Sequence, residues 1–138
     1  MSHSQTDVSP QNACADHADT QAPKLRLRLV YSDGMMLGPG KADLLEGIAA
    51  TGSIAAAGRS MGMSYKRAWS LVETMNKAFR EPLVLRSRGG AQGGGAVLTD
   101  TGRLILMHYR QMQDKAGAAV AQDVSAISAL LAEEPSPQ

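Results

Sequence analysis

The stretch TGSIAAAGRSMGMSYKRAW, residues 51–69, folds two short helical runs around one glycine. Ala55, Ala56, Ala57 and Gly58 offer almost no side-chain bulk, so a neighbouring helix can approach closely. Gly62 supplies the turn, and Ser53 and Ser64 each stand before a helical run as a residue whose hydroxyl accepts from an exposed backbone N–H. Small-residue helix, glycine turn, capped helix is the local logic of a helix-turn-helix. The predicted helices cover 54–61 and 65–80. Lys66 and Arg67 then occupy the first turn of the second one, where the helix dipole disfavours positive charge. Either something anionic lies beyond that turn, or the cations belong to a solvated face.

At about 100° per residue the 65–80 helix separates into two faces. Tyr65, Ala68, Trp69, Val72, Met75, Asn76 and Phe79 share one, mostly apolar; Lys66, Arg67, Ser70, Glu73, Thr74 and Lys77 share the other. Short donors interleaved with long cations are what a base-reading helix needs. Lys66 and Arg67 stand at the end of the helix that meets base edges, and the Arg67 guanidinium can take two acceptors of guanine. Ser70 and Thr74 can reach bases or phosphates, and Lys77 a phosphate. Glu73 has the i,i+4 spacing for an ion pair with Lys77. The Tyr65 ring angle points coreward, while its hydroxyl is long enough to meet a phosphate.

Working outward, LRLRLVYS (25–32) alternates apolar Leu25, Leu27 and Leu29 with Arg26 and Arg28 and predicts a half-buried strand. Residues 33–40, with glycines and a proline, read as a loop, and a helix over 40–51 turns Leu44, Leu45 and Ile48 inward before Gly52 ends it. Beyond Pro82, LVLRSR (83–88) and AVLT (96–99) read as two strands joined by GGAQGGG (89–95), a wing edged by Arg86 and Arg88. A phosphate-cradling P-loop is excluded, because Ala96-Val97-Leu98 follows the last glycine where Lys-Ser or Lys-Thr is required. Thr99 or Asp100 caps a helix predicted to reach Glu133. Along it Ile105, Met112, Ala119 and Ala126 recur every seven residues, with Tyr109 and Ala116 beside them. Such a stripe needs a partner, either a second copy of the chain or the chain's own core. Gly117 is its weak point. The expected fold is mostly α with a small β wing: a disordered tail over 1–23, a winged helix-turn-helix over 24–99, a long dimerisation helix over 100–133 and a short tail over 134–138.

All 14 Lys and Arg residues lie between Lys24 and Lys115 against seven acids in the same window, a local excess of seven positive charges between acidic ends. That distribution suits a polyanionic partner. Cys14 is the one cysteine, so no internal disulfide forms and a reducing compartment is expected. His3, Cys14 and His17 are too few and too loosely held for a structural metal site, and Met35, Met36, Met61 and Met63 read as core filling. No metal or cofactor is expected. No apolar run is long enough to span a bilayer and the first residues lack a secretory pattern, which predicts a cytoplasmic protein. No catalytic constellation surrounds His108, the one histidine beyond residue 17, so no enzyme is expected.

LLEGIAATGSIAAAGRSMGMSYKRAWSLVETMN followed by LVLRSRGGAQGGGAVLTDTG resembles the N-terminal DNA-binding domain of ModE-type molybdate-responsive regulators, a winged helix-turn-helix similar to that of LysR-type regulators. The resemblance covers roughly residues 24–115 and is most specific over 52–69 and 93–99. It implies that Ser64, Tyr65, Lys66, Arg67 and Ser70 begin the recognition helix, that Trp69 is a core aromatic, and that Arg86, Arg88 and Gly89 to Gly95 form the wing. It also implies dimerisation through this domain. Complete members of the family continue into a β-rich oxyanion-binding region; only 23 residues follow Lys115 here, helical and alanine-rich in pattern, so molybdate sensing is not expected within this chain. The sequence thus predicts a homodimeric, sequence-specific regulator of molybdenum-related, metal or transport genes on a palindromic operator, with repression favoured over activation. The alternatives are a winged-helix protein-interaction module and a single-domain metal or oxyanion sensor.

Overall fold

A computed structural model describes residues 22–87 and 95–132. They fall into two compact units, one over Arg26–Ala118 and a second holding the described residues at either end of the chain. The larger unit opens with β1 (Leu29–Val30) antiparallel to β2 (Met36–Leu37), Leu29 opposite Leu37. The strand predicted over 25–32 is therefore two residues long, and the predicted loop over 33–40 contains its partner. Turn chemistry explains the difference: Tyr31 N–H donates to the Met35 carbonyl at 2.9 Å, and the Asp33 carboxylate accepts from Met35 N–H at 3.0 Å.

Three helices follow. In α1 (Pro39–Thr51) Ala42, Leu44, Leu45 and Ile48 are buried, and Gly52, at φ +72°, closes it by donating to the Ile48 carbonyl at 2.8 Å. Ser53 caps α2 (Ile54–Ser60), accepting from Ala56 N–H at 3.0 Å, and Ser64 caps α3 (Tyr65–Ala78), accepting from Arg67 N–H at 3.1 Å. Between them Gly62 turns the chain at φ +74°, while the Gly58 carbonyl accepts from both Met61 and Met63 N–H groups. Space is tight here. A Cβ on Gly58 would stand 2.9 Å from the Ala68 Cβ, and one on Gly47 would stand 3.0 Å from the Ala57 Cβ. The small residues of α2 therefore let α1 and α3 close on either side of it.

The wing strands, β3 (Val84–Ser87) and β4 (Gly95–Leu98), pair antiparallel with Val84 opposite Leu98 and Arg86 opposite Ala96. Val84, Ala96 and Leu98 join Leu44, Ile48, Val72, Met75 and Leu83 in the main core. Ala96 N–H donates to the Gly52 carbonyl at 2.8 Å, tying β4 to the corner between α1 and α2.

The single helix predicted over 100–133 is present as two, α4 (Asp100–Ala119) and α5 (Ala121–Ser128), with Val120 between them. The break falls three residues beyond Gly117, which lies inside α4. The seven-residue stripe begins on the chain's own core. Ile105 packs against buried residues, and Tyr109, 1% exposed, donates its hydroxyl to the Leu27 carbonyl at 2.7 Å. Arg110 joins α4 to α1 through Asp43 at 2.8 Å and Glu46 at 2.5 Å. Leu104 and Met107 of α4 are exposed instead.

Two glycine substitutions separate close packing from helix propensity. Gly58→Ala is expected to lower the thermal midpoint, because overpacking of roughly 1–3 kcal/mol exceeds the roughly 1 kcal/mol of propensity gained. Gly117→Ala, whose Cβ meets nothing within 4 Å, is expected to raise it by the equivalent of roughly 0.5–1 kcal/mol. Thermal unfolding followed by circular dichroism reads both.

Candidate nucleic-acid interface

The polar face of α3 exists because its other face is spent on the core. Ala68, Val72 and Met75 are fully buried, and Leu71, Trp69 and Phe79 pack partly buried around them. Lys66, Arg67, Ser70, Glu73, Thr74 and Lys77 are all exposed, as the two-face pattern predicts. Tyr65 differs from its coreward ring angle: at the first position of α3 it is 51% exposed. The Glu73–Lys77 pair does not form. Among the described residues the ion pairs are Arg103 with Asp100 and Arg110 with Asp43 and Glu46, which leaves Lys66, Arg67 and Lys77 without a carboxylate partner.

Two hydroxyls on this face have internal partners. Ser64 spends an acceptor site on Arg67 N–H as the cap of α3, and Thr74 donates to the Ser70 carbonyl at 3.0 Å. Each keeps hydrogen-bonding capacity, Ser64 as a donor and Thr74 as an acceptor. Ser70 is exposed and, three and four residues beyond Arg67 and Lys66, shares their face of the helix.

The wing is fastened to α3 at two points. Asn76 donates through Nδ2 to the Val84 carbonyl at 3.0 Å, and its Oδ1 accepts from Leu83 N–H at 2.8 Å and Val84 N–H at 3.1 Å. Further along β3, the Arg86 guanidinium carbon lies 4.5 Å from the centroid of the Trp69 ring, a cation–π contact worth about 0.5–1 kcal/mol at an exposed site. Trp69 thus serves as a platform for a wing cation as well as packing on the core, a role its spacing does not reveal. Arg88 and residues 89–94 of the wing lie outside the described residues, as do His3, Cys14 and His17.

Sequence reasoning missed Arg28 and Lys41. Both line a hollow of about 330 Å³ together with Arg67, among Met36, Met63 and Leu71. Burial, then the charges of Arg67 and Arg28, hold the Lys41 ammonium below its usual range. These three cations are far apart in sequence, so no local spacing connects them.

Residues 41–103 match the family model described as bacterial regulatory helix-turn-helix protein, lysR family. The chain is similar to the molybdenum transport protein ModE of Azotobacter vinelandii, 44% identical over 88 residues that make up 64% of this chain and 33% of that protein. It is also similar to the DNA-binding transcriptional dual regulator ModE of Escherichia coli (strain K12), 36% identical over 103 residues, 72% of this chain and 39% of that protein. The chain therefore spans between about a third and two fifths of the length of these relatives. The crystal structure of the CbnR_DBD–DNA complex shares the fold, with a TM-score of 0.52 and 20% identity over 64% of this chain and 95% of that one. The fold is a winged helix, as the sequence predicts. Among the described residues no helix is long and apolar enough to cross a membrane.

Within this fold the Asn76 clamp sets the base of the wing. Asn76→Ala leaves the N–H groups of Leu83 and Val84 without their acceptor and is expected to cost about 1–3 kcal/mol in denaturant unfolding. Amide exchange at Leu83 and Val84 should accelerate more than at Val72 in the core.

Proposed function

We propose that this chain is a sequence-specific DNA-binding transcriptional regulator acting on molybdenum-related genes. The observation that carries the reading is the solvent face of α3: Lys66, Arg67 and Lys77 exposed together, without carboxylate partners among the described residues, on the second helix of a LysR-type helix-turn-helix domain. Cations on a helix's first turn cost about 0.3–1 kcal/mol against the dipole, which several phosphate or base contacts offset. Lys66, Arg67 and Ser70 meet base edges or the adjacent backbone in the major groove, Tyr65, Ser64 and Thr74 supply hydroxyls at its rim, and Lys77 meets a phosphate. Arg86, held over Trp69, and Arg88 follow the flanking backbone. The link to molybdenum comes from the names of the relatives.

Two copies place their α3 helices in successive major grooves, about 34–36 Å apart, on a near-palindromic site. Support for the homodimer comes from exposed Leu104 and Met107 on α4, a different face from the one that carries Ile105 and Tyr109 to the core. In this reading the protein works in the cytoplasm, has no catalytic task or cofactor, and represses rather than activates.

Selection from random duplexes at about 150 mM salt tests it, since non-specific binding weakens steeply with salt. Wild type is expected to enrich a near-palindrome, and Lys66→Ala/Arg67→Ala to enrich none. Recovery of only salt-sensitive background by wild type would reassign the face to protein docking. Running the selection with and without molybdate shows whether the anion alters binding.

A further inference from the structure

Three elements bring one charge each to the same place. Arg28 comes from the segment before β1, Lys41 from the first turn of α1 and Arg67 from the first turn of α3, and together they line the hollow of about 330 Å³. Burial comes first in holding the Lys41 ammonium below its usual range, and the like charges of Arg67 and Arg28 add to it. Among the described residues no carboxylate pairs with these cations. Asp43 and Glu46, the acids of α1, are both taken by Arg110, and the first turn of α1 contains no acid.

The backbone adds to the same field. Gly38 is the N-cap of α1 and makes no side-chain cap; Pro39 follows, and the N–H groups of Gly40 and Lys41 have no intrahelical acceptor. Arg28 lies across the cap, its Nε 3.4 Å from where a Gly38 Cβ would stand. Gly38, at φ −135°, is in extended backbone open to any residue, so serine or aspartate is not barred by conformation. The position carries neither, and the positive helix end faces three cations instead.

We propose that this hollow is an oxyanion site in which Arg28, Lys41 and Arg67 hold a phosphodiester of bound DNA, an assignment that rests on the DNA-binding reading above. The shared chemistry is that of a tetrahedral oxyanion, which a free ion also presents. A polymer phosphate is the better occupant for two reasons. Part of the wall is apolar, from Met36, Met63 and Leu71, and Met36 is 40% exposed, so the hollow is an open rim rather than an enclosed cradle. Arg67 also sits on the helix whose exposed face meets the duplex in the reading above, so the hollow adjoins that face. The site draws Arg67 toward the backbone and leaves Lys66 and Ser70 to the base edges.

Fluorescence anisotropy of the full chain, on the selected duplex and on an unrelated one across a salt series, tests the assignment. Lys41→Gln is expected to weaken both duplexes by a common factor of roughly 3–10 and to lower the slope of log K against log salt by about 0.9, leaving sequence preference unchanged. Lys41→Arg restores both quantities. Without DNA the Gln variant melts no lower than wild type, since a repelled charge has gone, and millimolar inorganic phosphate shifts neither midpoint. A Gln variant with wild-type affinity and slope overturns the site while the DNA reading stands, and so does a loss confined to the selected duplex. Inorganic phosphate that raises the midpoint of wild type but not of Lys41→Gln overturns the phosphodiester in favour of a free anion. A wild type that binds no duplex ends the DNA reading and this assignment with it.

Discussion

Gly58 lies against Ala68 with no room for even a methyl group between them, and this approach sets the pitch of α3 against the rest of the domain. Once α2 is seated that closely, the α3 residues facing it must be Ala68, Val72 and Met75, and the opposite residues have no core left to enter. The Ser64 cap then starts the helix at a fixed residue, which places Lys66 and Arg67 in its first turn. The presentation of charge follows from a packing constraint on two residues that carry none.

Charge on this domain is distributed against stability and in favour of field. Cations that help folding are paired: Arg110 with Asp43 and Glu46 holds α4 to α1, and Arg103 with Asp100 sits at the start of α4. Those around α3 and the α1 N-terminus are gathered without carboxylates, one of them above an aromatic ring. Exposed pairs contribute at most about 1 kcal/mol each, and the acids that make them, Asp43 and Glu46, do not line the hollow.

Local signals in the sequence carried most of the framework. Gly52, Ser53, Gly62 and Ser64 announce caps and turns through their own backbone and hydroxyl chemistry, and the structure uses each in that way. The periodicity of α3 likewise separated Val72 and Met75 from Lys66 and Lys77. What depends on distant partners was not legible. The β1–β2 pair hangs on the Asp33 turn, which alternation over 25–32 does not encode. Periodicity placed Ile105 and Tyr109 on one stripe, but only Leu27 and the neighbouring core decide which way that stripe faces. Arg86 over Trp69, and Arg28 beside Lys41 and Arg67, are meetings of residues from separate elements, and no spacing along the chain records them.

Thr99 has a position whose mechanical meaning extends past its own cap. Its hydroxyl donates to the Pro82 carbonyl at 2.8 Å and accepts from Gly102 N–H at 2.9 Å, while its own N–H donates to the Leu83 carbonyl at 2.9 Å. Gly102, buried, has the Leu83 carbonyl where a side chain would begin. The root of α4 and the root of the wing are therefore riveted to one another over a single turn. A helix of 20 residues runs about 30 Å, so the direction in which α4 leaves the domain is set by the same few hydrogen bonds that seat the wing.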